Sequence, residues 1–303
     1  MAFLKWFSKN RIVLLLFHSV ADEKDSVRPH TVKPAIHISS DNFEQIIRRA
    51  ASDFNILSLD DAWQDRRNRK SGIILTFDDG FQDNFDIALP ILEKYSAPAT
   101  IYVTSGFIDG SVYPFEFYLS EVIEKNNKIE LILESKAVVF STCSLEEKMQ
   151  TYLHVKNILK YCTHQERQKA LQNLIAKNCP ANPSNGYLSK NTLFELSKSP
   201  LITIGCHTHY HQALSSIPVS EAQHDIEKSK RSIERWIGKQ IYHFSYPYGL
   251  TNHNIAKIVR HIGFKTAATT KPGVERHGFK DPISIFRYEI KKIDDFNACT
   301  RLL

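Results

Sequence analysis

Long apolar runs are missing from this 303-residue chain. Its N-terminal run, Ile12 to Phe17, covers six residues, against the roughly 18 that a membrane-spanning helix needs. A transmembrane segment is therefore excluded. Cysteine is scarce as well: five residues (Cys143, Cys162, Cys179, Cys206, Cys299), an odd number, widely spaced and without a CxxC pair. That usage excludes a disulfide framework and points to a reducing compartment. Glycine (11) and proline (12) are too few for collagen-like or low-complexity sequence, and 42% hydrophobic with 24% charged residues excludes disorder. A strong charge of one sign is also lacking, since 39 Lys+Arg against 33 Asp+Glu leave +6, spread along the chain. The densest basic run, Arg66-Arg67-Asn68-Arg69-Lys70, sits beside Asp60, Asp61 and Asp65 and reads as a solvated loop. With no aromatic–basic module, no nucleic-acid partner is expected.

The first twenty residues, MAFLKWFSKNRIVLLLFHSV, imitate a secretion signal, but the apolar run is short, ends in His18 and is followed by no small-residue cleavage site. A mature β-strand is the better reading. The Phe3, Leu4, Trp6 and Phe7 cluster reads as a strap over the core, with peripheral contact to a membrane surface as the alternative. The expected location is the cytoplasm, with contact to the inner face of the membrane as a variant of it.

What the chain does contain is alternation. Val/Ile/Phe-rich runs alternate with amphipathic stretches, the βαβα pattern of a parallel sheet or barrel. Strands are expected near Ile12–Phe17, Asn55–Leu57, Gly72–Phe77, Thr100–Val103, Leu201–Ile204, Tyr242–Ser245, Thr266–Ala268 and Ile283–Phe286. Side-chain caps at Asp41/Glu44, Ser144/Glu147, Thr163/Glu166 and Ser220/Gln223 predict helix starts. The last of these helices carries Ala222, Ile226, Ile233, Trp236 and Ile237 on one face and stops at Gly238. From about Tyr113 to Ser199 the alternation gives way to a charged, mostly helical stretch, broken at Pro180–Gly186. It reads as an insertion between two barrel strands of one domain spanning 1–303, and no internal repeat is visible.

Four polar clusters follow expected strands directly: His18; Asp78-Asp79-Gly80; His207-Thr208-His209-Tyr210-His211; and Tyr246-Pro247-Tyr248-Gly249. In parallel α/β folds these strand ends share one face, so residues far apart in sequence converge there. The HxxxH spacing of His207 and His211 puts both imidazoles on one side of a turn, and a carboxylate from another strand end would complete a three-ligand set suited to zinc. Alone, HxxxH is more often structural. Adjacent Asp78 and Asp79 beyond an apolar strand demand charge compensation; one could bind a metal while its neighbour acts as a general base. Alone, such a pair caps the next helix.

Leu75-Thr76-Phe77-Asp78-Asp79-Gly80, then His207-Thr208-His209-Tyr210-His211, then Phe244-Ser245-Tyr246-Pro247-Tyr248-Gly249 resemble the first three motifs of the polysaccharide deacetylase (NodB-homology, carbohydrate esterase 4) family. Leu16-Phe17-His18-Ser19-Val20 resembles the "YHxV" opening of family members encoded with extracellular polysaccharide and lipopolysaccharide pathways. The helix carrying Ser229-Lys230 also fits that group. The resemblance spans roughly Arg11 to Arg287 and implies a distorted (β/α) barrel of about seven strands with the helical insertion. It implies Asp79, His207 and His211 as ligands of a divalent metal, most simply Zn2+, and Asp78 as the base that activates the attacking water. It also implies the Tyr248 N–H as an oxyanion donor and Thr208 as a support of the loop. His209 falls at a variable position, where it either touches substrate or lies on the loop surface.

Two family features are absent. The third-motif Arg that orients the base is replaced by Ser245, and Arg287 is the candidate to take over, by pairing with Asp78. The C-terminal "LxH" acid is missing too, and His18 inherits the role of protonating the leaving amine. The expected reaction is hydrolysis of the N-acetyl amide of an amino sugar, in a polysaccharide or in a lipid- or nucleotide-linked precursor, releasing acetate. The alternatives are a deformylase acting on a lipid-linked sugar and a glycan-binding barrel without chemistry.

Overall fold

A computed structural model of the chain describes residues 10–21, 36–64, 70–133, 136–178 and 186–303. β1 (Ile12–Phe17) is followed by two short strands, β2 (Ser19–Ala21) and β3 (His37–Ser39), which pair with each other. Next come β4 (Asn55–Ile56), β5 (Gly72–Phe77) and β6 (Ala99–Val103), then a hairpin of β7 (Lys128–Leu133) and β8 (Lys136–Ser141). The chain closes with β9 (Ile202–Cys206), β10 (His243–Ser245), β11 (Thr266–Ala268) and β12 (Tyr288–Glu289). The main sheet runs β11-β10-β9-β6-β5-β1-β12, every pairing parallel, with β4 beside β5. This curled seven-strand path, with helices outside it, is a distorted (β/α) barrel.

Strand parity explains how the barrel arms one end. In β1 and β5, Val13, Leu15, Phe17, Ile73, Leu75 and Phe77 point outward to the helices, where Phe17, Phe43 and Phe77 pack ring against ring at 5.3–5.7 Å. Ile12, Leu14 and Ile74 fill the barrel interior. Side chains alternate with a period of two, so His18 and Asp78, just past the strand ends, continue the interior row. In β9 and β10, Ile202, Ile204, Cys206 and Phe244, with Tyr246 just past β10, join the outer core, which turns His207 and Ser245 inward. Both faces of β1 and β5 are buried, which is why they read as unbroken apolar runs.

The expected strand Ile283–Phe286 is not formed. Ile285 makes a single bridge to Ala268, through Ile285 N–H to Ala267 O (2.9 Å) and Thr269 N–H to Ile285 O (2.8 Å), before the chain crosses to β1 as β12. One bridged residue is too little for a ladder. The helix starts also divide. Ser144/Glu147 and Thr163/Glu166 form the expected reciprocal caps, and Gly238 ends its helix at φ 68°. The cap of the helix Ser40–Asp53 is Ser39 and not Asp41, and Val219–Ile237 follows Pro218 without a side-chain cap.

The insertion lies between β6 and β9, which are neighbours in the sheet. It is less helical than expected. The β7–β8 hairpin packs Ile129 and Leu131 against Leu119, Val155, Leu159 and Leu171 of the helices Phe115–Lys125, Leu145–Tyr161 and His164–Asn178. This hydrophobic cluster is separate from that of the barrel. The Phe3–Phe7 cluster, most of the Arg66–Lys70 run and most of the Pro180–Gly186 break lie outside the described residues. Among the described residues Cys143, Cys162, Cys206 and Cys299 are free thiols, and no helix is long and apolar enough to cross a membrane.

Candidate active site

Asp79 (φ 76°) and Gly80 (φ 80°) are successive left-handed residues at the end of β5. The reversal separates two adjacent carboxylates into different surroundings. Thr208, His211 and Tyr248 are left-handed too, with φ between 48° and 66°. Non-glycine residues pay conformational energy there, and such outliers concentrate at functional sites.

Asp78 faces Arg287. The guanidinium donates from Nη1 to Asp78 Oδ1 (2.8 Å) and from Nη2 to Oδ2 (2.7 Å), with neither residue more than 2% exposed. Its remaining donors are used on Thr76 Oγ1 (3.2 Å), Ser245 Oγ (2.8 Å) and Thr269 O (2.8 Å). Ser245 in turn donates to Asp78 Oδ2 at 3.0 Å. Ser245 thus stands between the arginine and the carboxylate that the arginine holds. Burial alone would raise the Asp78 carboxyl, but the charge and hydrogen bonds of Arg287 offset it and hold the group below its ordinary range.

Asp79 faces two imidazoles. Its Oδ1 lies 3.4 Å from His207 Nε2 and 3.3 Å from His211 Nε2, and ligand atoms of the three residues fall within 4.8 Å of one another. His207 Nδ1 is 2.8 Å from Ser245 O. A carbonyl only accepts, so Nδ1 carries the proton and Nε2 presents its lone pair to the site. Burial draws the His207 pKa down to about 4, keeping the ring neutral as ligation requires. Asp79 Oδ1 is buried without a hydrogen-bond donor, an unmet need of the kind a cation satisfies. The donor set therefore fits a small divalent metal, and its N/N/O chemistry suits zinc.

The other sequence candidates divide. His18, Asp78, Asp79, His207, His211 and Tyr248 line one cavity of about 220 Å3. The Tyr248 ring packs 4.8 Å from His211, and Gly249 beside it has φ 66° with no room for a side chain against Thr270. Arg287 stands behind Asp78, outside the lining. His209 is turned away from the cavity, its ring held by Ser105 Oγ at Nδ1 (2.8 Å) and Ser111 Oγ at Nε2 (3.2 Å). Thr208 Oγ1 accepts from the His211 N–H at 3.0 Å.

The insertion forms the facing wall with Phe115, Glu116, Phe117, Lys156 and Tyr187. Glu116 and Lys156 pair at 2.8 Å, and the Tyr187 ring stacks on Phe81 at 4.8 Å and leans on Phe107 at 4.7 Å. None of these was singled out in the sequence. Arg167 and Asp225, which reach the backbone of the His207–His211 loop, were missed as well.

The polysaccharide deacetylase family pattern matches residues 65–267. The chain belongs to the polysaccharide deacetylase family. The matched segment holds Asp78, Asp79, His207, His211 and Tyr248 and leaves His18 and Arg287 outside it. A candidate polysaccharide deacetylase of Bacillus subtilis (strain 168), YxkH, is 25% identical over 131 residues, which are 43% of this chain and 44% of that relative. The chain thus matches less than half the length of this curated relative. Among solved structures, the Streptococcus pyogenes deacetylase PplD, in complex with acetate, is 16% identical with a TM-score of 0.64, covering 96% of this chain and 98% of that one. IcaB from Ammonifex degensii is 16% identical at a TM-score of 0.62, with 97% of both chains covered. The de-N-acetylase from Aggregatibacter actinomycetemcomitans is 17% identical at 0.62, over 97% of this chain and 100% of that one. At these identities the likeness is one of fold, and it covers nearly the whole chain.

Proposed function

We propose that this protein is a metal-dependent deacetylase that hydrolyses the N-acetyl amide of an amino sugar, in a polysaccharide or in its precursor, and releases acetate. The observation that carries this reading is the division of the two neighbouring carboxylates, Asp79 toward two imidazoles and Asp78 toward a buried arginine. One is suited to ligation and the other, held ionised, to taking a proton.

When bound by Asp79, His207 and His211, a divalent metal supplies Lewis-acid activation of a water and of the amide carbonyl. Asp78 accepts the proton of the attacking water, and Arg287 with Ser245 orients its carboxylate. The Tyr248 backbone N–H donates to the developing oxyanion. His18 gives a proton to the departing sugar amine, a task suited to imidazole near neutral pH. The wall of Phe117, Tyr187 and Phe107 supports a sugar ring as occupant, and Glu116 with Lys156 offers partners for its hydroxyls. A lipid- or nucleotide-linked precursor met in the cytoplasm, at the inner face of the membrane, is the substrate form we favour, on the strength of the cysteine usage.

The test is acetate and formate release by zinc-loaded protein from N-acetylglucosamine oligomers and from lipid- and nucleotide-linked N-acetyl sugars. Acetate is the expected product, and its absence from every N-acetylated sugar overturns the reading. Asp78→Asn is expected to lower kcat by about 10²–10⁴-fold while zinc remains bound. Full activity in that variant removes Asp78 from the role of base.

A further inference from the structure

We propose that Arg167 is a positioning residue for His211, so that the insertion, and not the barrel alone, sets the geometry of the metal centre. The inference rests on the metal-dependent reading above. Arg167 projects from the helix His164–Asn178 and is 2% exposed. Its Nη1 donates to His211 O at 3.0 Å and its Nη2 to Tyr210 O, while the guanidinium lies over the Phe115 ring at 5.2 Å. Among the described residues it makes no ion pair. Two carbonyls, an aromatic face and the Asp225 carboxylate beyond ion-pair distance compensate it; a charge so buried is costly to maintain, and its place in the loop gives a reason for it.

Buried backbone groups need partners, and those of the ligand loop can be followed one by one. His207 N–H donates to Val103 O (2.9 Å), and His207 O accepts from Thr104 Oγ1 (3.1 Å). Thr208 O accepts from Ser105 N–H (3.1 Å) and Ser229 Oγ (2.8 Å), and His209 O from Gly106 N–H (3.2 Å). The His209 and Tyr210 N–H groups donate to Asp225 Oδ1 at 2.6 and 3.0 Å. Two carbonyls are left, Tyr210 O and His211 O, and among the described residues Arg167 alone takes both. They belong to the peptide planes on either side of the His211 Cα, whose φ is 48°. The arginine therefore grips the backbone on both sides of one ligand and holds it in a left-handed conformation that it would otherwise tend to leave. Relaxation there rotates the imidazole away from Asp79.

Partners that orient a metal ligand from outside the coordination sphere are worth about 10–100-fold in metal affinity. Arg167→Met keeps the apolar stem and removes both donors. Its zinc dissociation constant, measured by chelator competition on the apo-protein, is expected to rise by about 10–100-fold. Arg167→Lys, able to reach one carbonyl, is expected to fall between it and wild type. The visible spectrum of the Co2+-loaded Arg167→Met protein is expected to shift, reporting altered ligand geometry. Leu159→Ala, which truncates the insertion's apolar core and keeps both Arg167 donors, is expected to lower the Tm and leave zinc affinity unchanged. Wild-type zinc affinity and an unchanged cobalt spectrum in Arg167→Met overturn the proposal, and so does an equal loss of zinc affinity in Leu159→Ala. If Arg167→Met does not fold, Arg167→Lys decides, and wild-type affinity in it overturns the proposal. A wild-type protein that takes up neither zinc nor cobalt overturns the metal-dependent reading itself, and this inference with it.

Discussion

Barrel and insertion face each other across one cavity but are ordered by different means. On the barrel side, His18, Asp78 and His207 follow from strand parity, each the next inward residue past a strand, while Asp79, His211 and Tyr248 are turned into the site by left-handed backbone. Its charges are paired in near-complete burial, as at Arg287 and Asp78. On the insertion side, helices and a hairpin close over a separate small cluster, and the pair facing the cavity, Glu116 and Lys156, keeps 17% and 29% of its side-chain surface exposed. The barrel is built to fix charges and the insertion to shape what lies above them. Arg167 is the exception, a buried charge that the insertion places within the barrel's machinery.

Breaking the buried pair should have the largest effect. Arg287→Met leaves Asp78 ionised in a site that no longer compensates it, a change that costs about 3–5 kcal/mol in comparable buried pairs. The Asp78 pKa rises once its main offsetting charge is gone, so the acid limb of the kcat/KM profile is expected to move to higher pH. A pH profile and a denaturant titration check the two halves, and an unmoved acid limb removes Arg287 from control of the base. The part-buried Glu116–Lys156 pair should respond far less. Glu116→Gln keeps the size of the side chain and leaves Lys156 facing the cavity without its partner. KM is expected to change by about tenfold or less with kcat nearly constant, the pattern of lost uniform binding. A fall in kcat with unchanged KM would move Glu116 from the substrate wall into the chemistry, and so erase the contrast between the two sides.

The same contrast governs what was legible in the sequence. β1 and β5 read plainly because burial on both faces writes continuous apolar runs, and the ends of β1, β5 and β9 lead directly into His18, Asp78-Asp79 and His207. Arg287 was found through an absence, since Ser245 stands where an arginine was expected. Ile283–Phe286 misled because an apolar run records burial and not hydrogen bonding, and only Ile285 is bridged. In the insertion, β7 and β8 carry lysines and a glutamate among their apolar residues, so they merge with the charged helices around them. The stretch His164-Gln165-Glu166-Arg167-Gln168 looks like a solvated helix face. That one of its charges turns inward depends on a loop more than forty residues further along, and no local pattern records it.

Asp225 sharpens the comparison from the barrel side, with the smallest expected effect. Where Arg167 holds carbonyls of the His207–His211 loop, Asp225 holds two of its amides, and it does so as a buried carboxylate whose Oδ2 has no partner. Burial pushes its pKa up from 3.8 to about 6, against the opposing pull of the two N–H groups. A folded-state value above the unfolded one means that the fold favours the protonated acid. The stability this contributes is complete below pH 4 and is lost as the pH rises through 6. Asp225→Asn retains an oxygen for the His209 and Tyr210 amides and cannot ionise. Relative to wild type, the variant should therefore gain stability across the window from pH 4 to 6, by an amount on the order of 3 kcal/mol, and gain nothing further above it. Denaturant titrations of both proteins at several pH values give that difference directly. A difference that stays constant across the window would mean that Asp225 is ionised throughout and that the loop's amides, like its carbonyls, are held by a permanent charge.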